Sequence, residues 1–389
     1  MDSELIKQLE SDFQVAFART SSLQEWRKRG WDKFLALQPH SSLRAMPRIA
    51  SHSEEGKKDF RYLHQLLFVD GFFHSHSLPK QLSAQSLEDA MRSYGLFLQN
   101  WFSRSLKEEK DPFAALNIAF HGKGAFLYVP PKVQIPDPIE IHHFFTSSQM
   151  AFSNLQVVLG KGASLSLVQR VSSRSEEPFA NLRLDVSLDE GATLFLGDDG
   201  GWPEGAIRWE ASRFVLKKES RLQFLSLTQG SKEGNISLDV QLLEENASAL
   251  IQGFSHLRKD LSLKVQSTME HVAPHCHSRQ HFKTILEDES RFLFGGKILI
   301  RPEAQKTMAY QLNNNLLLSN RAISRAEPHL EIFADDVKAS HGATFTSLDD
   351  EELFYLRSRG ILPEEGKKIL VQGFGEEILA SSPPFFKRS

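Results

Sequence analysis

The sequence predicts a mainly β protein organised on a parallel (right-handed) β-helix, with helical regions at both ends of the chain. Three observations carry this. From about Phe113 to Phe345, short alternating stretches such as ASLSLVQ, NLRLDVSLDEGATLFLG, SRLQFLSLTQG and LSLKVQS replace helical spacing. Aligned on a shared small-x-apolar-x-apolar core, they put Leu165, Leu194, Leu222 and Leu250 in register, at spacings of 29, 28 and 28 residues. Gly162, Gly191, Glu219 and Asn246 fall at or next to the corner before each of these strands, where left-handed backbone is often needed. A near-constant period built from strands marks a solenoid, in which each coil buries its apolar edge only by stacking on the next. The competing β-sandwich would be punctuated about every 8–12 residues.

Residues 1–112 read as a mainly helical region, 113–345 as the β-helix core and 346–389 as a second helical region. Leu5, Leu9, Phe13 and Phe17 recur every four residues and predict an amphipathic helix from Ser3 to Thr20. Ser21 or Ser22 can cap a second helix carrying Leu23, Trp26, Trp31 and Phe34. Residues 39–60 are polar and Pro-containing, a connection. HQLLFVDGFF then reads as strand, turn at Asp70-Gly71 and return strand. A third helical pattern runs from Ser86 to Leu106, with Met91, Tyr94, Leu98 and Trp101 on one side. His64, His74 and His76 near the turn read as solvated loop histidines, because no sequence-near carboxylate or cysteine completes a ligand set.

Composition narrows the function classes. A chain of 389 residues with 40% hydrophobic content can bury a large core, while a formal net charge of -3 gives no basic footprint for nucleic acid. No apolar run approaches membrane-spanning length, and MDSELIKQLESDF lacks the apolar stretch of a secretory signal. The single cysteine, Cys276, rules out an internal disulfide and fits a reducing, cytoplasmic location. Gly-Lys pairs at 122–123, 160–161, 296–297 and 366–367 are never followed by Ser or Thr, so no nucleotide-phosphate loop is present, and GKGA and GKGAS read as turns.

Three constellations could carry chemistry. In HVAPHCHSRQH, His271, His275, His277 and His281 would share one face of an unbroken strand, with Cys276 on the other. Pro274 interrupts that ladder, which leaves His275 and His277 as weak metal candidates against a reading as polar solenoid surface. In QLNNNLLLSN, Asn313, Asn314 and Asn315 predict amides stacking coil on coil. The third lies between Leu330 and Gly360. Leu330 and Ile332 share a strand face; Asp335, Asp336 and His341 follow. Ser347 is then expected to cap a helix from Leu348 to Ser358 whose first turn carries Asp349, Asp350 and Glu351. Taken alone, an Asp near a His in sequence is usually a turn with local hydrogen bonds.

The same helix presents Leu353, Phe354 and Leu356, and Gly360 is placed to end it. Pro363 starts a last helix on which Leu370, Phe374 and Ile378 recur every four residues. Two short helices cannot form a core alone, so these apolar faces rest on the β-helix or on a partner.

The run LEIFADDVKASHGATF, the helix DDEELFYLRSRGI, and upstream PHCHSRQHFKTIL, FGGKILIRPEAQKT (read as a turn), AYQLNNNLLLSNRA, DPFAALNIAF and FVDG together resemble the SufB/SufD family of iron–sulfur cluster assembly scaffolds, on its SufD side. The resemblance covers roughly Phe113 to Phe374 and is most specific in the last hundred or so residues; the N-terminal helices match only in character. It implies a non-catalytic subunit of the SUF complex that pairs with a SufB-like β-helix subunit and carries a SufC-like ABC-type ATPase on its C-terminal helices. It also implies a transient iron–sulfur cluster shared with the SufB-like partner, with His341 among the groups that hold it. Two residues earlier the family often has cysteine, whereas this chain has Ala339. Whether a flavin associates is not written in this sequence. Two other readings compete: a carbohydrate-active β-helix enzyme using Asp335 and Asp336 as acid and base, and a structural homodimer pairing by β-helix edges.

Overall fold

The computed structural model describes residues 3–17, 23–37, 47–50, 61–121 and 124–386. Helix α1 (Ser3–Phe17) buries Leu5, Leu9 and Phe13 as its period requires. Phe13 stacks on Trp31 of α2 (Gln24–Ala36) at 5.0 Å. Leu23 is the N-cap of α2 and makes no side-chain cap bond; Ser21 and Ser22, expected there, lie outside the described residues. So does most of 39–60, within which Ile49 bridges to Met150. Of the two glycine-rich turns, GKGA lies partly outside the described residues, and Gly160-Lys161-Gly162 is a turn.

Strands β1 (His64–Val69) and β2 (Phe72–Ser77) form the expected hairpin around Asp70-Gly71, and a short β3 (Ser83–Ser86) follows. The helix expected over 86–106 is two: α3 (Leu87–Ser93), capped by Ser86, and α4 (Gly95–Glu108). Tyr94 leaves helical geometry at φ -125° to pack its ring on Phe126 (4.8 Å) and Tyr128 (5.7 Å), so a tertiary contact overrides the local pattern. Residues expected at the start of the strand region instead form α5 (Pro112–Phe120), with Asp111 accepting from Phe113 N at 2.8 Å and Pro112 in the first turn. Apart from Pro112 all of it is buried, and a run whose one polar residue, Asn117, is buried as well shows no period by which to tell helix from strand.

The remaining strands wind into two parallel sheets. One contains β4 (Ala125–Val129), β6 (Met150–Leu159), β8 (Phe179–Leu188), β10 (Ile207–Leu216), β12 (Glu233–Leu242), β14 (Ser262–His271), β16 (Arg291–Ile300) and β18 (Ile323–Ile332). The other contains β5 (Ile139–Phe145), β7 (Ser164–Ser173), β9 (Thr193–Asp198), β11 (Arg221–Thr228), β13 (Ser248–Leu257), β15 (His277–Leu286), β17 (Met308–Leu317) and β19 (Lys338–Thr346). The result is a β-solenoid of about 8 turns. Every second side chain of each strand points into the lumen, so Leu184, Val186, Phe214, Leu216, Val240 and Leu242 stack into one core.

The corners repeat as expected. Gly162, Gly191, Glu219, Asn246, His275 and Lys306 all have φ between 58 and 65°. Left-handed backbone costs a non-glycine residue roughly 1–2 kcal/mol, and each corner N–H offsets it by bonding the next coil, as Gly162 to Glu190 O (2.8 Å) and His275 to Gln305 O (2.9 Å). One register differs. Leu165, Leu194 and Leu222 stack, but the next rung is Ala249, not Leu250. Ala249 is buried in the core while Leu250 points outward, half-buried. The segment FGGKILI is strand β16 rather than a turn.

The two ends of the solenoid are built differently. At the N-terminal end the sheets finish on antiparallel strands, β2 on β1 and β3 on β4, with α2–α5 packed beside them. At the C-terminal end the sheets finish on β18 and β19, which have no strand beyond them among the described residues. The chain then continues into α6 (Asp350–Ser358) and α7 (Pro363–Ala380). Asp349, not Ser347, caps α6, accepting from Glu351 N at 2.8 Å; Gly360 follows at φ 86°, and Pro363 opens α7.

Candidate functional site at the open end

Strand β19 lies in unbroken parallel register on β17, and β17 on β15. Side chains of the same rung therefore stack along the solenoid axis, about 4.8 Å apart. One column runs Ile251, Gln280, Gln311, His341; the neighbouring one puts Ala339 on Ala309. Ala309 is in the core and Ala339 packs against it, so by the two-residue alternation His341 also stands on the lumen side. Among the described residues no coil covers it, and the residue is exposed. Around it the last coil leaves an apolar margin: Ile332 is 42% and Phe345 50% exposed, and Phe333 and Ile323 are open on the outer side.

Beneath His341 the lumen is lined with amides rather than hydrocarbon. Gln280 and Gln311 are 0% and 3% exposed, and neither amide N nor O of either has a hydrogen-bond partner within the chain. Gly296, mid-strand in β16, explains where Gln311 lies: a Cβ at 296 would collide with its amide. Four unpaired buried amide atoms would cost roughly 4–12 kcal/mol, comparable with the ~5–15 kcal/mol stability of a whole domain. The described residues supply no partner for them, so these amides need water or another chain to be satisfied. Of the three asparagines, Asn313 and Asn315 are buried inside, with Asn315 donating to Asn313 at 2.6 Å. The expected ladder of amides is not formed, because the trio's register partners are Phe282, Lys283 and Thr284 below and Ala343, Thr344 and Phe345 above; Asn314 faces out and bridges the coils singly, to His281 (3.0 Å) and Thr344 Oγ1 (2.8 Å).

The other sequence candidates separate. Asp335 and Asp336 lie in the exposed corner between β18 and β19, where Gln305 Oε1 accepts from Asp336 N (2.9 Å) and Lys306 N donates to Asp336 O. They do a corner's work. The four histidines diverge: His271 ends β14 fully buried, His275 is a corner residue, His277 is exposed at the start of β15, and His281 is buried against α7. Burial, then the nearby His277, pushes the His271 imidazole down to about 3, and its Nε2 pairs with Ser278 Oγ at 2.8 Å. Among the described residues no three His, Cys, Asp or Glu side chains converge as a metal-ligand set. Cys276 points into the core, donates to Glu244 O at 3.3 Å, and burial pushes its thiol up to about 11, away from reactive thiolate.

The C-terminal helices divide their apolar residues between internal and external use. Leu353 and Leu356 of α6 are half-buried against Gly366 of α7. Ile378, expected on a partner-facing stripe, is fully buried with Phe195, Leu225 and Phe386 on the outer face of the solenoid. Leu370 and Phe374 are half-buried; Lys283 of β15 bonds Phe374 O (3.1 Å) and Glu377 (2.7 Å) and lies 5.0 Å over the Phe374 ring. What remains outward is Phe354 (63% exposed), Tyr355, Leu362 and Ile369. Sequence periodicity found the stripe but not which half of it the solenoid occupies, because Lys283, Phe254 and Gln252 that receive α7 are far away in sequence.

Fold and site together define a two-sheet parallel β-solenoid closed at one end, with a lumen-side histidine and two unpaired strand edges at the other. The family profile for the SUF system FeS cluster assembly SufBD core domain matches residues 143–374, and that for the SufBD protein N-terminal region matches 62–141. The chain belongs to the SufBD family of iron–sulfur cluster assembly proteins. It is 27% identical over 337 residues, 82% of its length and 74% of the relative's, to an iron–sulfur cluster assembly SufBD family protein of Synechocystis. To the chloroplastic protein ABCI7 of Arabidopsis thaliana it is 29% identical over 283 residues, spanning 68% of this chain and 59% of that one. The iron–sulfur cluster assembly protein SufD of Escherichia coli is 41% identical over 138 residues, 36% of this chain and 33% of that one. Helices α1 and α2 lie outside both matched segments. Among the described residues no helix is long and apolar enough to cross a membrane.

Proposed function

We propose that this chain is the SufD-like scaffold subunit of a SUF assembly complex. Its open solenoid end pairs with a SufB-like β-helix subunit, and its outward C-terminal helix face carries a SufC-like ATPase. The observation that carries the reading is the unfinished last coil: β18 and β19 present unpaired backbone edges and an apolar margin around His341. Exposed edges of this length invite strand pairing with another chain, and a β-helix partner supplies matching edges. His341 stands at that junction with its imidazole open to a partner. A neutral imidazole is a competent iron ligand. The iron and sulfide are cargo, the remaining ligands come from the partner, and Ala339 contributes none. Phe354, Tyr355 and Leu362 form the face offered to the ATPase, with Leu370 and Phe374 at its border. ATP turnover belongs to that partner, in the cytoplasm.

An anaerobic tagged purification from the native host tests this, with mass spectrometry of co-purifying chains and iron and acid-labile sulfide assays. A β-helix relative and an ABC-type ATPase should come down, and His341→Ala should lower the recovered iron and sulfide by about tenfold or more, as loss of a metal-site group does. Recovery of the chain alone or as a homodimer would sink the proposal.

A further inference from the structure

We infer that His281 and Asn314 lock the α6–α7 hairpin and the last coil into one mechanical unit, so that a displacement of the hairpin is carried to β19, three residues from His341, and the reverse. The chain itself makes most of a ring. It leaves β19 at Thr346, runs through α6 and α7, and returns to the outer face of the solenoid. There α7 is seated by apolar contacts on earlier coils: Ile378 is buried with Phe195 and Leu225, and a Cβ at Gly375 would strike the Phe254 ring. Polar contacts hold it one coil further on, where Lys283 of β15 donates to Phe374 O (3.1 Å) and pairs with Glu377 (2.7 Å). Glu377 also stands 3.8 Å from Nδ1 of His281, the buried residue two positions before Lys283 on the same strand.

His281 and Asn314 close the ring. Facing an amide oxygen, His281 Nε2 donates to Asn314 Oδ1 (3.0 Å) on β17, and Asn314 Nδ2 donates to Thr344 Oγ1 (2.8 Å) on β19. Asn315 Nδ2 holds the same residue through Thr344 O (3.1 Å). Among the described strands β19 is paired with β17 alone, and a strand held on one side opens at a small free-energy cost. Each net hydrogen bond of the bridge is therefore a large share of what keeps it closed. That an ATPase supplies the displacement rests on the function proposed above; the coupling itself does not.

Hydrogen exchange of the full chain reads the coupling from either end. Thr344→Val removes one exposed hydroxyl from β19 and should speed exchange of the α7 amides about two- to fivefold, the lower end of what one net hydrogen bond is worth. Lys283→Ala, which loosens α7, should speed exchange in β19 as well. Asn314→Leu keeps the volume and cuts the bridge, so on that background Thr344→Val should have no further effect on α7. Unchanged α7 exchange in Thr344→Val, acceleration of α7 without β19 in Lys283→Ala, or the same Thr344→Val effect with and without Asn314 overturns the inference. A tagged purification that brings down no ATPase would instead remove the partner that moves the hairpin and leave this measurement standing.

Discussion

The N-terminal and C-terminal coils of this solenoid bury polar groups in opposite ways. In the early coils the lumen holds a charged group that is internally paired. Arg208 binds Glu210 (2.7 Å) and Thr228 (2.8 Å), Gln169 donates to Glu210 (3.2 Å), and Ser226 and Gly200 N serve Asp198. Helix α5 seals the outside of these coils through Asn117, which binds Ser153 O and Asn181 O, both at 2.9 Å. In the last coils the lumen holds neutral amides with spare capacity, and among the described residues no strand or helix closes the end. Buried polar groups call for partners: the charged group of the first region finds most of its partners within the chain, whereas the Gln280 and Gln311 amides of the second find none among the described residues and lie beneath a surface where another chain can approach.

Deleting a buried group at each end should sharpen this contrast. Arg208→Met leaves Glu210 and Asp198 facing each other without a cation, so chemical denaturation should show a loss of about 3–5 kcal/mol. Gln311→Met removes donor and acceptor together and keeps the volume, so the same assay should show a change within about 1 kcal/mol. Equal losses would remove the distinction between the two ends. Between these lies Gly296→Ala, whose Cβ would collide with Gln311 and should cost about 1–3 kcal/mol.

A smaller effect comes from pH. Burial, opposed by Arg208 and reinforced by Asp198, raises Glu210 to about 7. The folded chain therefore holds a proton that the unfolded chain releases near the ordinary glutamate value. That contribution is present at low pH and is lost as pH rises toward 7. Melting curves of Glu210→Gln against the unmodified chain should diverge across this window, with the variant the more stable above it by on the order of 1–2 kcal/mol. A constant difference from pH 5 to 8 would contradict the assignment. Smallest of all, Lys283→Ala should leave global stability within about 1 kcal/mol yet speed amide exchange in α7, which this lysine ties to β15.

The solenoid was legible because strands of constant length and left-handed corners repeat in the sequence itself. Where two adjacent residues were both apolar, as Ala249 and Leu250 are, alternation could not choose the face, and the register slipped by one. Helix α5 was hidden for a related reason, since eight successive buried residues carry no period. The residues alone place His341 in one of three candidate constellations, where one histidine beside two aspartates looks like any turn, and only the family resemblance raises it above the other two. Gln280 and Gln311 were invisible as a column because a glutamine in a strand reads as an outward residue until the stacking places it inside. The charged lumen around Glu210 was missed likewise, and there the signal was present: Arg208 and Glu210 alternate in step with Phe214 and Leu216, which are core.

The account rests on the C-terminal end being the one completed by another chain. Hydrogen exchange of the co-purified assembly against the isolated chain tests this most directly. Protection is expected in β17–β19, 308–346, and on the outward face of α6, with exchange in the early coils unchanged. New protection confined to β1–β5, or none in 308–346, would contradict it.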